Sequence, residues 1–104
     1  MADPQLTAEI YLYPDKEGTK KKRPISEFYR PVGFLQLDHS GLGHECIFEI
    51  GQPPLLAGER RRVRFWSTHQ ESLAALRTVR KFYIWDGWFV GEAIIIVDGD
   101  EISN

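Results

Sequence analysis

The most constraining feature of this sequence is a hairpin signal near its C-terminal end, where Asp86-Gly87 separates two runs rich in aromatic and β-branched residues. The first run is Arg80 to Trp85 and the second is Trp88 to Val97. An Asp-Gly pair favours a tight two-residue turn, because both central residues of such a turn adopt positive φ. The sequence therefore predicts an antiparallel hairpin here, and with it a fold built on β-sheet.

Further strands are predicted upstream from the alternation of apolar and polar residues. Three segments have the period of a half-buried strand: Thr7 to Tyr13, Glu45 to Ile50 and Arg60 to Trp66. Phe34 to Leu37 is predicted to be a second major strand, entered through Pro31. Pro53 and Pro54 are expected to end the strand before them, because two consecutive prolines remove two ladder donors.

One helical segment is indicated between the arginine-rich strand and the hairpin. Thr68-His69-Gln70-Glu71 has the spacing of a capping box, and good helix formers follow from Leu73 to Leu76. We expect at most one short helical turn at this point.

About six short strands joined by turn-rich loops predict an all-β sandwich or small barrel. The apolar run Ile94 to Val97 favours the barrel, because a strand that is apolar on both faces must be covered on both. We expect residues 1–104 to form a single domain with the barrel at about 7–97. The segment 14–24 is expected to be a flexible loop, and residues 1–6 and 98–104 frayed termini.

Composition sets limits on the class of protein. The 104 residues carry a net charge of −2, and no apolar run approaches the roughly 20 residues of a membrane span. Residues 1–5 have neither the basic region nor the apolar core of a secretion signal, and the single cysteine, Cys46, allows no internal disulfide. These features predict a cytoplasmic protein that does not bind membranes.

The segment Asp38 to Cys46 is the first candidate for chemistry. Asp38, His39, His44, Glu45 and Cys46 could ligate a metal, but their spacing fits no zinc template and Cys46 alternates onto the apolar face. No acid or oxyanion-hole motif frames Ser40 beside the histidines, and the nearby glycines lack the lysine and helix of a phosphate loop. We therefore expect no catalytic residues, no cofactor, no bound metal and no bound nucleotide.

The basic and aromatic residues are the second candidate, because such side chains can hold a phosphate backbone and stack on bases. They also suit a protein interface, where arginine and aromatic side chains are enriched, or they are simply solvated faces. The candidate partner-binding residues from this pattern are Lys20, Lys21, Lys22, Arg23, Arg60, Arg61, Arg62, Arg64, Trp66, Trp85 and Trp88.

The order of several short motifs resembles the C-terminal β-barrel domain of translation elongation factor Tu. The resemblance extends from about Thr7 to Val97. The motifs are Ala8-Glu9-Ile10-Tyr11, Arg23-Pro24-Ile25, Phe28-Tyr29-Arg30-Pro31, Asp38-His39-Ser40-Gly41, Leu56-Ala57-Gly58-Glu59, Phe82-Tyr83-Ile84 and Val90-Gly91-Glu92-Ala93-Ile94.

The resemblance implies a closed antiparallel barrel of six strands, which in that family helps hold the T-stem of aminoacyl-tRNA and packs against a GTPase domain. These 104 residues contain no GTPase domain, so nucleotide hydrolysis is not carried over. The resemblance adds Arg30 and Gly91 to the candidate binding residues. The family's counterpart of Arg30 lies close to the domain junction, so Arg30 is expected to face solvent or meet a different partner.

The leading prediction from sequence is a non-catalytic binding module for tRNA or another structured RNA, in a translation-related role. An alternative is a protein-interaction factor that mimics the barrel of the translation factor, in the manner of an antitoxin or immunity protein. A third reading is a metal-dependent enzyme that uses the 38–46 loop. Convergence of the arginine and lysine runs on one face would favour RNA, and their dispersal would favour a protein partner.

Overall fold

The computed structural model describes residues 5–16 and 23–96, and these ranges contain eight strands and one helix. In chain order the elements are β1 (Leu6–Leu12), β2 (Ile25–Tyr29), β3 (Val32–Phe34), β4 (His44–Glu45), β5 (Ile47–Leu55), β6 (Arg60–Trp66), α1 (Gln70–Val79), β7 (Lys81–Trp85) and β8 (Phe89–Ile96). The predicted all-β class is confirmed.

All eight strands belong to one antiparallel sheet with the order β2-β5-β6-β1-β8-β7-β3-β4. The sheet curves into a half-barrel, so the predicted closed barrel of six strands is wrong. The strand number differs from the prediction because β2 was not predicted and because the predicted strand Glu45 to Ile50 is interrupted. Two breaks divide the strands in this region. The first break, at Arg30 and Pro31, separates β2 from β3, and the second, at Cys46, separates β4 from β5.

Residues 25–34 and 44–55, which we call the long hairpin, keep one register from Phe28 to Gly33, across both breaks. Tyr29 pairs with Phe48 on one side of the breaks, and Val32 pairs with Glu45 on the other. Between them the Cys46 amide donates to the Pro31 carbonyl at 3.3 Å. Pro31 has no N–H of its own, which interrupts the ladder at this point. The two halves of the long hairpin pair with different neighbours, because β5 pairs with β6 whereas β3 pairs with β7.

Two strand boundaries on the long hairpin differ from the sequence prediction. The predicted strand Phe34 to Leu37 is wrong beyond its first residue, because β3 ends at Phe34 and Leu35 to Leu37 lie exposed in a loop. The predicted end before Pro53 is also wrong, because β5 runs through both prolines to Leu55 and includes a cis Gln52–Pro53 peptide. The ladder from β5 to β6 covers only Ile47 to Glu49, so the prolines remove no bond to that strand.

The C-terminal hairpin is confirmed, although its turn differs from the predicted one. Strands β7 and β8 pair from Lys81 with Ile94 to Trp85 with Phe89, which leaves a three-residue loop. Only Gly87 in the Asp86-Gly87 pair has positive φ, at 80°. The register shifts between Ile84 and Trp85, and this bulge takes up the extra loop residue.

Helix α1 links β6 to β7 and is longer than the single turn predicted, with ten residues. Its N-cap is His69, without a side-chain capping bond, so the predicted capping box is wrong. The Thr68 hydroxyl donates instead to Glu45 Oε1 at 2.6 Å. Leu73 and Leu76 are the buried residues of the helix, and they join the hydrophobic core.

The core lies on the concave side of the sheet, around three phenylalanine rings. Phe48 stacks on Phe65 with ring centroids 5.4 Å apart, and the Phe82 ring lies 6.2 Å from Phe48 and 5.6 Å from Phe65. Because the three come from β5, β6 and β7, they tie distant parts of the sheet together. Burial of three such rings supplies several kcal/mol, at about 25 cal/mol per Å² of apolar surface.

Several of the predicted segments fall partly or wholly outside the described residues. These are Lys20, Lys21 and Lys22, most of the predicted flexible loop 14–24, residues 1–4 of the predicted N-terminal tail, and the whole of 98–104. Leu6, which was expected to be frayed, begins β1 and pairs with Phe65.

Candidate interaction surface

Strand β6 places its arginines on two different sides of the sheet. Val63 and Phe65 are buried in the core, so by strand alternation Arg62 and Arg64 lie on the outer, convex face, as does Arg60. Arg61 lies on the same face of β6 as the core residues Val63 and Phe65, at the point where β5 and β6 have separated. Its Nη1 donates to the carbonyls of Ile50 at 3.2 Å and Pro53 at 2.6 Å, which makes Arg61 a brace between the two strands.

Carboxylates pair with most of the cations on the outer face. Arg64 binds Glu49 at 2.9 Å, and Lys81 binds Glu92 at 3.3 Å. Arg60 lies 3.5 Å from Glu9 and also covers the Tyr11 ring, with its guanidinium carbon 4.2 Å from the centroid.

Arg62 faces Glu9 in the β1–β6 register, and within residues 5–16 and 23–96 it makes no ion pair. Acidic residues of β5, β1 and β8 therefore lie beside the basic residues of β6 and β7. Such a face carries little net field for steering a polyanion.

The long hairpin also carries a small apolar cluster on its outer face, at the end where it meets β6. The Phe28 ring packs edge-on against Trp66 with centroids 5.9 Å apart, and 57% of Phe28 remains exposed. Ile47 pairs with Trp66 across β5 and β6 and is only 2% exposed, yet it lies outside the concave core. We infer that Phe28 and Trp66 cover Ile47 from outside, with one face of Phe28 left open to solvent.

A second aromatic cluster lies at the other end of the long hairpin, on the same side of the sheet. Phe34 and Phe89 each pack edge-on against Trp85, at 6.1 and 4.9 Å between centroids. His39 stacks flat on Trp85 at 4.5 Å with an angle of 18° between the rings. The loop after β3 is therefore folded back over the sheet, with one face of Trp85 covered by His39.

Between the two clusters lies a line of three exposed side chains, Phe28, Arg30 and Val32, which we call the outer stripe. Trp66 and Trp85 lie at its two ends. The three alternate with half-buried Tyr29 and buried Pro31, so they point to the same face. Exposed leucines extend the apolar surface into the loop after β3: Leu35, Leu37 and Leu42.

Arg30 makes no ion pair with any residue in the described ranges. Two carboxylates on the adjoining strands lie near it in the register: Glu49, which faces Phe28 and binds Arg64, and Glu45, which faces Val32. Glu45 Oε1 already accepts from the Thr68 amide at 2.7 Å, the Thr68 hydroxyl at 2.6 Å and the Ser67 hydroxyl at 3.2 Å. The Thr68 donors lower the pKa of Glu45, which keeps it charged at neutral pH with its Oε1 atom bound to Thr68 and Ser67.

Sequence reasoning selected Arg30, Trp66 and Trp85 but not Phe28 or Val32. The alternation Phe28, Arg30, Val32 is present in the sequence, but Pro31 lies inside it and made this segment look like an entry loop. A test for period two across the proline would have found the stripe.

The residues of the predicted 38–46 loop are dispersed rather than gathered. Asp38 accepts from the Ser40 amide at 2.9 Å, which lowers its pKa, and His44 Nδ1 lies 3.1 Å from Ser72 Oγ. Burial raises the pKa of the Cys46 thiol to about 12, and the charge of Glu45 adds to the effect. Residues 5–16 and 23–96 contain no group of three or more His, Cys, Asp or Glu side chains that could hold a metal.

The remaining candidates lie apart from the outer stripe. Gly91 is buried in β8, where a side-chain Cβ would collide with the Tyr11 carbonyl oxygen of the neighbouring strand. Trp88 is 40% exposed in the β7–β8 turn, and Arg23 is exposed just before β2.

The stripe can bind a partner by apolar contact around one charged group, and it offers no nucleophile or general base. In the described part of the chain, no helix has the length and apolar character needed to cross a membrane. Comparisons with protein-family models, with curated proteins and with solved structures give no match.

Proposed function

We propose that this chain is a non-catalytic, protein-binding domain that uses the outer stripe as its contact surface. The observation that carries the proposal is the line Phe28, Arg30, Val32, in which two apolar side chains flank an arginine that binds no carboxylate of residues 5–16 and 23–96. Arginine and aromatic residues are enriched in the energetically dominant centres of protein interfaces. The surrounding ion pairs would form the polar rim that such centres usually have.

The arrangement supports a protein partner better than the RNA partner expected from composition. Phosphate-backbone binding depends on several unpaired cations that act together. On β6, Arg60 and Arg64 are paired with Glu9 and Glu49, and Arg61 donates to backbone carbonyls, which leaves Arg62. A translation-related role and the likeness to elongation factor Tu stay predictions from sequence.

Site-specific photo-crosslinking tests the proposal. Purified protein that carries a photo-reactive phenylalanine analogue at Phe28 is irradiated in a lysate of the source cells. The matched control carries the same group at Leu56, which is also exposed, at 47%, but lies at the opposite end of β5 from the breaks.

We expect a discrete protein adduct from position 28 that survives ribonuclease, is absent at position 56, and is lost when Val32→Asp is added. Equal labelling at both positions, or no adduct at position 28, would contradict the proposal. An adduct that ribonuclease removes would replace it with RNA binding.

A further inference from the structure

The surroundings of Arg30 indicate which chemical group the partner presents to the outer stripe. Arg30 is the one cation within the outer stripe, it is exposed, and in the described ranges no carboxylate binds it. The two carboxylates nearest in the strand register are Glu45, which accepts from Ser67 and Thr68, and Glu49, which binds Arg64. The structure therefore leaves the Arg30 guanidinium available for an external anion.

The residues on either side of Arg30 limit what that anion is attached to. Phe28 is 57% exposed and Val32 is 36% exposed, and both lie two residues from Arg30 along the same face. A carboxylate is the planar acceptor that matches the guanidinium fork with two parallel hydrogen bonds. An anion bound here would be flanked by apolar surface on both sides, which suits an acidic side chain between two apolar ones.

The spacing of the stripe matches an extended polypeptide. Two residues of a β-strand span about 6.6 Å, so Phe28, Arg30 and Val32 are arranged over about 13 Å. A second extended segment has the same period, and side chains at its positions i−2, i and i+2 cover the same length on one face. Trp66 and Trp85 stand at the two ends of this length, since they pack beside Phe28 and pair with Val32 respectively.

We propose, as an inference that rests on the proposed function, that the partner presents an extended segment with a central aspartate or glutamate. Apolar residues lie two positions before and two positions after this acidic residue. The acidic side chain binds Arg30, and the apolar side chains pack on Phe28 and Val32. A nucleic acid suits this stripe less well, because its backbone would require further unpaired cations beside Arg30.

Selection from a random peptide library displayed on phage tests the inference without knowledge of the natural partner. The library is selected in parallel against the wild-type protein and against Arg30→Glu. Dissociation constants of the selected peptides are then measured by fluorescence anisotropy for both proteins, for Phe28→Ser and for Arg77→Glu. Arg77 is an exposed arginine on α1, away from the stripe, that makes no ion pair in the described ranges, so it controls for net charge. Thermal unfolding of each variant confirms that it is folded.

We expect the wild-type protein to select peptides with a central Asp or Glu flanked by apolar residues at i−2 and i+2. Their affinity should fall at least about tenfold in Arg30→Glu and in Phe28→Ser, and change less than about twofold in Arg77→Glu. The Arg30→Glu protein should select Lys or Arg at the central position instead.

Two other outcomes separate this inference from the proposed function. Apolar peptides without an acidic preference, weakened by Phe28→Ser but not by Arg30→Glu, would overturn the inference and leave the binding surface standing. Selected peptides that neither substitution weakens would overturn both.

Discussion

Arg64 binds Glu49 across β6 and β5 with two nitrogens, Nε at 3.2 Å and Nη2 at 2.9 Å from the same Oε2 atom. This pair changes what the arginine run in the sequence means. Four arginines within five residues suggest a cationic strand, but the register brings acidic residues of β5 and β1 opposite them. The sheet therefore pairs Arg60 and Arg64 with carboxylates, and Arg61 donates to backbone carbonyls instead of facing solvent as part of a cationic strand.

The Arg64–Glu49 pair is exposed, so we predict that it contributes little to stability. In a double-mutant cycle with Arg64→Ala and Glu49→Ala, the coupling energy from denaturant unfolding should be at most about 1 kcal/mol and should shrink as salt is added. Arg64→Ala should also leave the binding of stripe-selected peptides unchanged, because that arginine is already engaged. A coupling energy that is unaffected by salt would contradict the assignment of this pair to the solvated face.

Gly91 is predicted to be required for the fold rather than for binding. In Gly91→Ala the new methyl group meets the Tyr11 carbonyl oxygen, and neither strand can move without disturbing the β1–β8 ladder. We expect a loss of at least about 3 kcal/mol in the free energy of unfolding, measured with urea. Gly41→Ala is the matched control, because a Cβ there meets no atom within 4 Å, and it should change stability by less than about 0.5 kcal/mol. Comparable losses in the two variants would contradict the collision at Gly91.

The parts of the fold that sequence predicted correctly are those where local pattern and final environment agree. Strands β1 and β6 alternate because each has one face in the core, and β7 and β8 adjoin a glycine turn. The missed strand β2 lacks this agreement. Its residues Ser26, Glu27 and Phe28 lie at a sheet edge with register shifts on both sides of Glu27, so no core face imposes alternation on them.

The pairing of the long hairpin was beyond the reach of local pattern for a different reason. Whether Leu35 to Leu37 extend a strand depends on whether another strand lies beside them, and β7 pairs with β3 only as far as Phe34. Likewise, Pro53 is tolerated because β6 has already left β5. Trp66 was found by residue type and Arg30 by the resemblance to elongation factor Tu, but their separation from the paired arginines depends on register, which neither of these encodes.

Cys46 is predicted to be unreactive in the native protein. It is fully buried, and burial raises the pKa of its thiol to about 12, so almost no thiolate is present near neutral pH. With an aromatic disulfide reagent at about pH 8, we expect no release of the chromophore on the time scale at which a small thiol reacts, and one equivalent after unfolding in guanidinium. Because Cys46 is the only cysteine, the signal has a single source. Rapid reaction of the folded protein would show that the core at β4 and β5 opens readily.

Glu45 is predicted to give the fold an acid-sensitive contribution. Hydrogen bonds from Thr68 and Ser67 lower its pKa in the folded state, so its stabilisation is complete above the ordinary carboxyl pKa of about 4.3 and is lost as pH falls through the lower, folded value. Glu45→Gln keeps an acceptor oxygen but no charge, and we expect it to be about 1 kcal/mol less stable than wild type at neutral pH. The gap in the free energy of unfolding between the two proteins should narrow as pH falls through the folded pKa of Glu45, below which both side chains are uncharged.

Urea unfolding at several pH values between about 7 and 3 measures this gap. Glu71→Gln is the matched control: Glu71 is exposed in the first turn of α1, and its loss should cost only a few tenths of a kcal/mol through the helix dipole. If the free energy of unfolding of Glu45→Gln followed the same pH dependence as that of wild type, the charge of Glu45 would not stabilise its bonds to Thr68 and Ser67. The prediction would then be contradicted. We expect the stability difference from wild type to narrow at low pH for Glu45→Gln, and not by a similar amount for Glu71→Gln. That result would place the acid-sensitive contact at Glu45, on the long hairpin. Glu45 would then be shown to be charged and bound to Thr68 and Ser67 in the folded protein.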